Sequence, residues 1–252
     1  MRILWLSANK FGYELLLEAQ KIQNIEIIGI MTLSKVAFTR MYDPIEPEKS
    51  WSDFGYPIFE VDNINNHISL IESLQPDLII MCGWRQIIDI NVLKIPPKGV
   101  IGFHPTLLPY GRGPAPLINT ILFEVNESGV TMFFVDEGTD TGDIIGQEKF
   151  SLNSNDYAMD LYYKVIDSGK KLIQNYLPLI AIDKNSRTPQ NNNEAFIFPK
   201  RNSDDNNINL IRDNPKEIIT KIRAFSEPYD GAFIILDNKK IIIWKAEIQD
   251  LD

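Results

Sequence analysis

Three short runs of this chain are apolar at nearly every position: Arg2 to Ala8, Ile25 to Met31 and Pro76 to Cys82 (PDLIIMC). A strand that leaves no face for water must be covered on both sides. The covering material lies between the runs. After a turn at Asn9 to Gly12, Tyr13 to Gln23 places apolar residues at helical spacing, and the segment around Asn65 to Leu74 does the same. Strands alternating with helices predict an α/β fold, a mostly parallel sheet with helices on both faces. Sheets of this kind carry their ligands at the carboxyl ends of the strands.

The pattern continues downstream. Gly99 to Phe103 reads as a strand ending at His104, followed by a Pro- and Gly-rich loop, Pro105 to Pro116. Leu117 to Val125 reads as a helix, Gly129 to Val135 as a strand, Asp136 to Asp143 as an acidic turn-rich loop, and Asp156 to Leu177 as a long amphipathic helix. Thr39 to Tyr56, with Pro44 and Pro47, reads as an irregular surface loop. Asn, Gln, Ser and Pro dominate Asp183 to Glu194, which predicts a boundary there: a catalytic unit over 1–183 and a small subdomain over 184–252. The second unit contains one helical segment, Pro215 to Phe225. Two strand-like runs follow, Gly231 to Leu236 and Lys240 to Ile248, joined by the hairpin signal Asp237-Asn238. A small α+β subdomain is expected.

Charge and cysteine content narrow the function classes. Twenty-five Lys and Arg against 34 Asp and Glu leave a formal charge of -9, which repels a phosphate backbone and makes nucleic acid an unexpected partner. The single cysteine, Cys82, has no partner for an internal disulfide, and no Cys/His cluster has metal-ligand spacing. The opening apolar run reaches Asn9 and Lys10 too soon for a signal peptide, and no run is long enough to span a bilayer. The expectation is a soluble cytoplasmic protein with no metal and no membrane partner; oligomeric state is open, with a homodimer among the alternatives.

Two histidines limit the choice of a proton carrier near neutral pH. His67 follows the polar segment Asn63 to Asn66 and reads as a surface residue. His104 stands where an apolar strand meets a rigid loop, and position alone leaves two readings open: a half-buried histidine bonded to a carbonyl, or a catalytic group. A carboxylate of the loop bearing Asp136, Glu137, Asp140 and Asp143 could orient it; the plain alternative is a solvated turn. The loop lacks the twelve-residue pattern of a calcium site. Gly83, Trp84, Arg85 and Gln86 put unusual residues at a third strand end, although a tryptophan there is by default a core or rim aromatic. Neither GxGxxG, a Walker sequence nor G-x-S-x-G occurs.

F-H-P-T-L-L-P-Y-G-R-G at 103–113 and V-D-E-G-T-D-T-G-D at 135–143 together resemble the folate-dependent formyltransferases. The likeness extends weakly to the opening strand and to Gly83 to Ile87. In the tail, F-P-K-R-N-S-D-D-N at 198–206 and I-R-A-F-S-E-P-Y-D-G-A-F at 222–233 resemble the carboxyl-terminal segments of sugar and methionyl-transfer-RNA formyltransferases. The resemblance implies a Rossmann-like amino domain, 10-formyl-tetrahydrofolate as donor and a primary amine as acceptor. By position, His104 and Asp140 match the family's catalytic pair. Folate is implied between Gly83, Trp84, Arg85, Gln86 and Ile87 on one side and Asp136, Glu137, Gly138 and Thr139 on the other. Asn9, Lys10, Thr106, Leu107, Leu108, Pro109, Arg112 and Gly113 are the implied substrate contacts, with Arg112, Lys200 and Arg201 as candidates for a diphosphate.

One departure stands out. Gly102 occupies the place where the family usually has an Asn that helps to hold the formyl oxygen, and loss of one such donor can cost roughly 3 kcal/mol. Asn119, Thr106 or a bound water are the replacement candidates. As for the acceptor, residues 191–252 hold nine Lys and Arg against eleven Asp and Glu, and the preceding residues hold sixteen against twenty-three. Two acidic parts argue against a transfer RNA. The purine-pathway members resemble only the first unit and would leave the tail unexplained. The expected acceptor is therefore a nucleotide-linked amino sugar. Methionyl-transfer-RNA formylation, deformylation by water and folate binding without turnover are the alternatives.

Overall fold

The computed structural model describes residues 1–34, 37, 50–202 and 204–251. Its centre is a seven-stranded sheet in which β1 (Arg2–Ser7), β2 (Glu26–Leu33), β3 (Ile58–Val61), β4 (Leu78–Cys82) and β5 (Val100–His104) run parallel. The sequence runs were apolar throughout because these strands are buried on both faces. Trp5, Leu15, Leu16, Ile80, Ile101, Leu172 and Ile173 meet on one side of the sheet, and Leu4, Leu6, Ile71, Ile79 and Val92 on the other.

Helices α1 (Lys10–Ala19), α2 (Ile68–Leu74), α3 (Ile90–Leu93), α4 (Pro116–Leu122) and α5 (Ala158–Ala181) supply the cover. Asn9 starts α1 by accepting a hydrogen bond from the Gly12 N–H, which satisfies one of the donors a helix start leaves unpaired. Helix α5 buries Leu161, Val165, Ile166, Leu172, Ile173, Leu177 and Ile180 along one stripe. Each such side chain contributes roughly 1.5–3 kcal/mol of apolar burial, so this stripe is a main source of cohesion.

The order of the sheet is β3-β2-β1-β4-β5-β7-β8, and its last two strands are antiparallel. Strand β6 (Tyr110–Arg112) stands outside it. Strand β7 (Glu127–Phe134) pairs with β5 so that His104 faces Thr131, and β8 (Ile144–Ser151) pairs with β7 so that Thr131 faces Gln147. No strand is expected over β8 from its sequence, because the consecutive polar Gln147, Glu148 and Lys149 of this sheet edge interrupt the apolar run. The short β3 lies just after the expected surface loop; residues 39–49 of that loop fall outside the described residues.

After α5 the chain returns to the sheet. Thr188 forms an antiparallel bridge with Ile144, and β9 (Phe196–Ile197) pairs with β6. Helix α6 (Pro215–Phe225) follows, with Asn214 and Glu217 forming a reciprocal cap and Pro215 in the first turn. Strands β10 (Ala232–Leu236) and β11 (Lys239–Ile243) form a hairpin across Asp237 and Asn238, both at positive φ as a two-residue turn requires. The second strand is shorter than the expected Lys240 to Ile248: residues 244–251 lie outside the regular structure. Among the described residues no helix is long and apolar enough to cross a membrane.

Candidate active site

His104 stands at the carboxyl end of β5 and is only 7% exposed, between the segment that follows it and the loop after β7. Its Nε2 lies 2.7 Å from the Gly111 carbonyl oxygen, and its Nδ1 lies 3.5 Å from Asp140 Oδ2. Both neighbours are acceptors, so each ring nitrogen can satisfy them only as a donor. The histidine is bonded to a carbonyl and is also turned toward a carboxylate.

The loop after His104 is pinned from beneath. Thr131 Oγ1 donates to the Thr106 carbonyl (2.7 Å) and accepts from the Leu108 N–H (3.0 Å). Gln147 Nε2 donates to the Leu108 carbonyl (2.8 Å) and to Thr131 Oγ1 (2.9 Å). His104, Thr131 and Gln147 are thus neighbours across three strands. Sequence reasoning did not find Thr131 or Gln147, since a polar residue inside a strand carries no sign of which loop it will meet.

Asp140 is held as closely. Its φ of +54° is a left-handed conformation that a non-glycine residue adopts at a cost of about 1–3 kcal/mol, met where the surroundings impose it. Earlier in the loop, Asp136 Oδ1 accepts from the Gly138 N–H and from Thr141 Oγ1 (2.7 Å). The Gly113 N–H donates to Asp140 Oδ2 (2.9 Å). At Gly142 a Cβ would overlap the Phe134 carbonyl oxygen, so only glycine lets the loop turn back onto β7 here.

Gly102 sits two residues before His104 on the same strand face. A Cβ there would lie 3.0 Å from Val135 Cγ2 and 3.2 Å from two Phe133 ring carbons. The space an Asn would need is filled by apolar side chains. Of the replacement candidates, Asn119 is fully occupied: its Nδ2 donates to the carbonyls of Pro114, Ala115 and Pro199, and its Oδ1 accepts from the Arg201 guanidinium. Thr106 Oγ1 reaches the Gly111 carbonyl at 3.4 Å.

The remaining expected site residues divide by what their side chains already do. Arg112 is buried, and its guanidinium donates to Gln190 Oε1 (3.0 and 2.8 Å) and Asn192 Oδ1 (3.0 Å), so it is engaged within the chain. Gln86 bonds the Ile64 N–H and the Asp62 carbonyl. Lys10 Nζ stands 5.1 Å above the Tyr163 ring. Asn9 fills the place where a Cβ on Gly83 would stand, and Gly83 has a φ of +62°. Leu108 is buried, whereas Leu107, Pro109 and Gly113 are part-buried, Arg85 and Ile87 are exposed, and Glu137, Gly138 and Thr139 lie exposed in the acidic loop. Trp84 packs under the second core face, and its buried indole N–H has no acceptor among the described residues. Burial pushes the Cys82 thiol well up, which keeps it protonated and unreactive. Among the described residues no group of three or more His, Cys, Asp or Glu is placed to hold a metal ion.

Comparison with known proteins gives this arrangement relatives. The formyl transferase family pattern matches residues 1–177, and the pattern for the formyl transferase C-terminal domain matches residues 200–252. Among solved structures, a 4-N formyltransferase from Francisella tularensis is 22% identical, covering 99% of this chain and 98% of its own, with a TM-score of 0.77. WlaRD, a sugar 3N-formyl transferase crystallised in the presence of dTDP and 5-N-formyl-THF, is 23% identical over 96% of this chain and 85% of its own, with a TM-score of 0.68. A methionyl-tRNA formyltransferase from Clostridium thermocellum is 20% identical over 99% and 94%, also at 0.68. At these identities the structural matches speak for the fold.

Proposed function

The chain belongs to the formyl transferase family, and from that premise we propose that it moves a formyl group from 10-formyl-tetrahydrofolate to the amine of a nucleotide-linked amino sugar. The observation that carries the reading is the His104 to Asp140 contact at the carboxyl end of the sheet. An imidazole between a carboxylate and a second acceptor is equipped to donate a hydrogen bond to developing negative charge and to move a proton.

In this mechanism the acceptor amine arrives neutral and attacks the formyl carbon. The His104 Nε2–H, which meets the Gly111 carbonyl in the free protein, is the donor the forming oxyanion takes over. Asp140 keeps Nδ1–H in place and supports the ring when it carries charge. As the C–N bond to folate breaks, His104 passes its proton to the departing folate nitrogen, and the proton shed by the attacking amine returns to the ring, so the formamide and tetrahydrofolate leave with the histidine restored. With Gly102 in the family's Asn position, the oxyanion depends more heavily on His104 and on a water than in relatives with the amide. The folate lies between the loops at 83–87 and 136–139, and the unsatisfied Trp84 indole N–H is a donor suited to a heteroaromatic ligand. Because the Arg112 and Arg201 guanidinium groups are both engaged internally, Lys200 and backbone N–H groups of the 106–113 loop are the better diphosphate contacts. Residues 1–183 act as the catalytic unit and 184–252 as the small subdomain of a soluble, cytoplasmic enzyme.

The acidic surface of both parts favours a small nucleotide sugar over transfer RNA. Incubation with 10-formyl-tetrahydrofolate and dTDP- or UDP-linked 3-amino and 4-amino deoxyhexoses, read by mass spectrometry, is expected to show formyl addition to at least one. Formylation of methionyl-transfer RNA alone, formate release without an amine, or binding without turnover would each replace this reading with a different one.

A further inference from the structure

We propose that Gln190 is a positioning residue that fixes the Asp140 carboxylate against His104. It lies between the stretches matched by the two family patterns, 1–177 and 200–252. The proposal rests on the reading of His104 and Asp140 as the reacting pair. Asp136 braces the loop through the Gly138 N–H and Thr141 Oγ1, and the carbonyls of Asp140 and Gly142 are held by a different residue. Both are bonded by one nitrogen: Gln190 Nε2 donates to the Asp140 carbonyl (2.9 Å) and to the Gly142 carbonyl (2.8 Å). The clamp therefore begins at the residue whose backbone is left-handed and closes across Thr141.

The other end of the amide is tied as firmly. Gln190 Oε1 accepts from Nε and one Nη of Arg112. Every hydrogen-bonding position of this side chain that lies in the amide plane is used, and a flipped amide would set donors against the guanidinium and an acceptor against two carbonyls. Arg112 is flanked by Gly113, whose N–H holds Asp140 Oδ2, and by Gly111, whose carbonyl holds His104 Nε2. One amide thus connects both segments that orient the pair. The backbone beside it is moored independently, by the two bonds between Thr188 and Ile144 and by the Phe198 N–H to the Arg112 carbonyl.

Gln190→Glu is the discriminating change, since it preserves shape and the acceptor for Arg112 while replacing both donated bonds with an oxygen facing two carbonyls. Gln190→Leu removes both ends. Thr188→Ala is the control, because the contacts of Thr188 with Ile144 are made by backbone atoms. With 10-formyl-tetrahydrofolate and the amino sugar accepted in the panel above, each Gln190 variant is expected to lower kcat about 10- to 100-fold with both KM values within about twofold. The ring nitrogen resonances of His104, assigned against His67→Gln, should lose their wild-type pattern, while Thr188→Ala keeps kcat and spectrum. A Gln190→Glu protein with wild-type kcat and ring spectrum overturns the proposal, and so does a Thr188→Ala loss as large as that of Gln190→Glu. Should His104→Asn retain turnover, the reading of the pair falls instead, and a changed ring spectrum in Gln190→Glu still upholds the positioning contact.

Discussion

Strands β4 and β11, LIIMC and KKIII, each carry consecutive isoleucines, and they end in opposite surroundings. Ile79 and Ile80 of β4 are fully buried, one in each core, whereas Ile242 of β11 is 43% exposed in a hairpin with no third strand. Apolar β-branched sequence specifies extended backbone in both. What it does not specify is cover, which depends on how many helices lie near enough to lend a face. The carboxyl end of β4 lies beside β5, the strand that ends in His104, whereas β11 pairs with β10.

If that contrast is right, the largest effect belongs to the buried end. His104→Asn is expected to reduce turnover on the order of 10³-fold, in the range general acid and base groups supply, while Ile242→Ser leaves kcat unchanged; steady-state kinetics with the accepted amino sugar checks both. Next comes the cost to the fold. Ile80→Ala should lower unfolding stability by about 2–5 kcal/mol in urea titrations, against less than about 1 kcal/mol for Ile242→Ala. Equal losses would break the comparison. A smaller effect is expected where the active end is already full. Gly102→Asn must push against Val135 and Phe133 and should destabilise by about 1–3 kcal/mol, and the added change Val135→Ala should recover part of it.

The smallest expected effect sharpens the comparison by acid. Burial pushes the Asp156 carboxyl up, but Lys164 and the Asn153 N–H outweigh it and hold it below the usual carboxylate range. Lys221 and the Asn209 N–H hold Asp213 down in the same way. A carboxylate depressed in the folded state stabilises above its unfolded pKa and loses that contribution as pH falls through the folded one. Unfolding free energy should therefore be level from pH 7 to about 4 and decline below it, more gently in Asp213→Asn. Asp156 precedes α5 and Asp213 precedes α6, so comparing Asp156→Asn with Asp213→Asn separates the regions.

Much of this molecule is legible in its sequence. Strands β1, β2 and β4 announce themselves because burial on both faces leaves no polar position to blur them. Helix α6 is bounded by Asn214, Pro215 and Phe225 as its capping residues dictate. His104 and Asp140 stand in motifs. Strand β8 escaped because an edge strand with one wetted face resembles a loop, and the antiparallel direction of β7 is not written in hydrophobicity at all. Gln190 escaped for a different reason: an amide in a polar linker has no periodicity, and its value comes from two carbonyls and a guanidinium more than forty positions away in the chain.

The sole sulfhydryl lies at the end of β4, with no accessible surface and a thiol that burial keeps protonated. An alkylating dye can reach it only in molecules whose central sheet has come apart. The rate of labelling under native conditions is therefore a clock for rare global opening, readable without denaturant and without adding a reporter, and any bound small molecule that tightens the sheet should slow it in proportion.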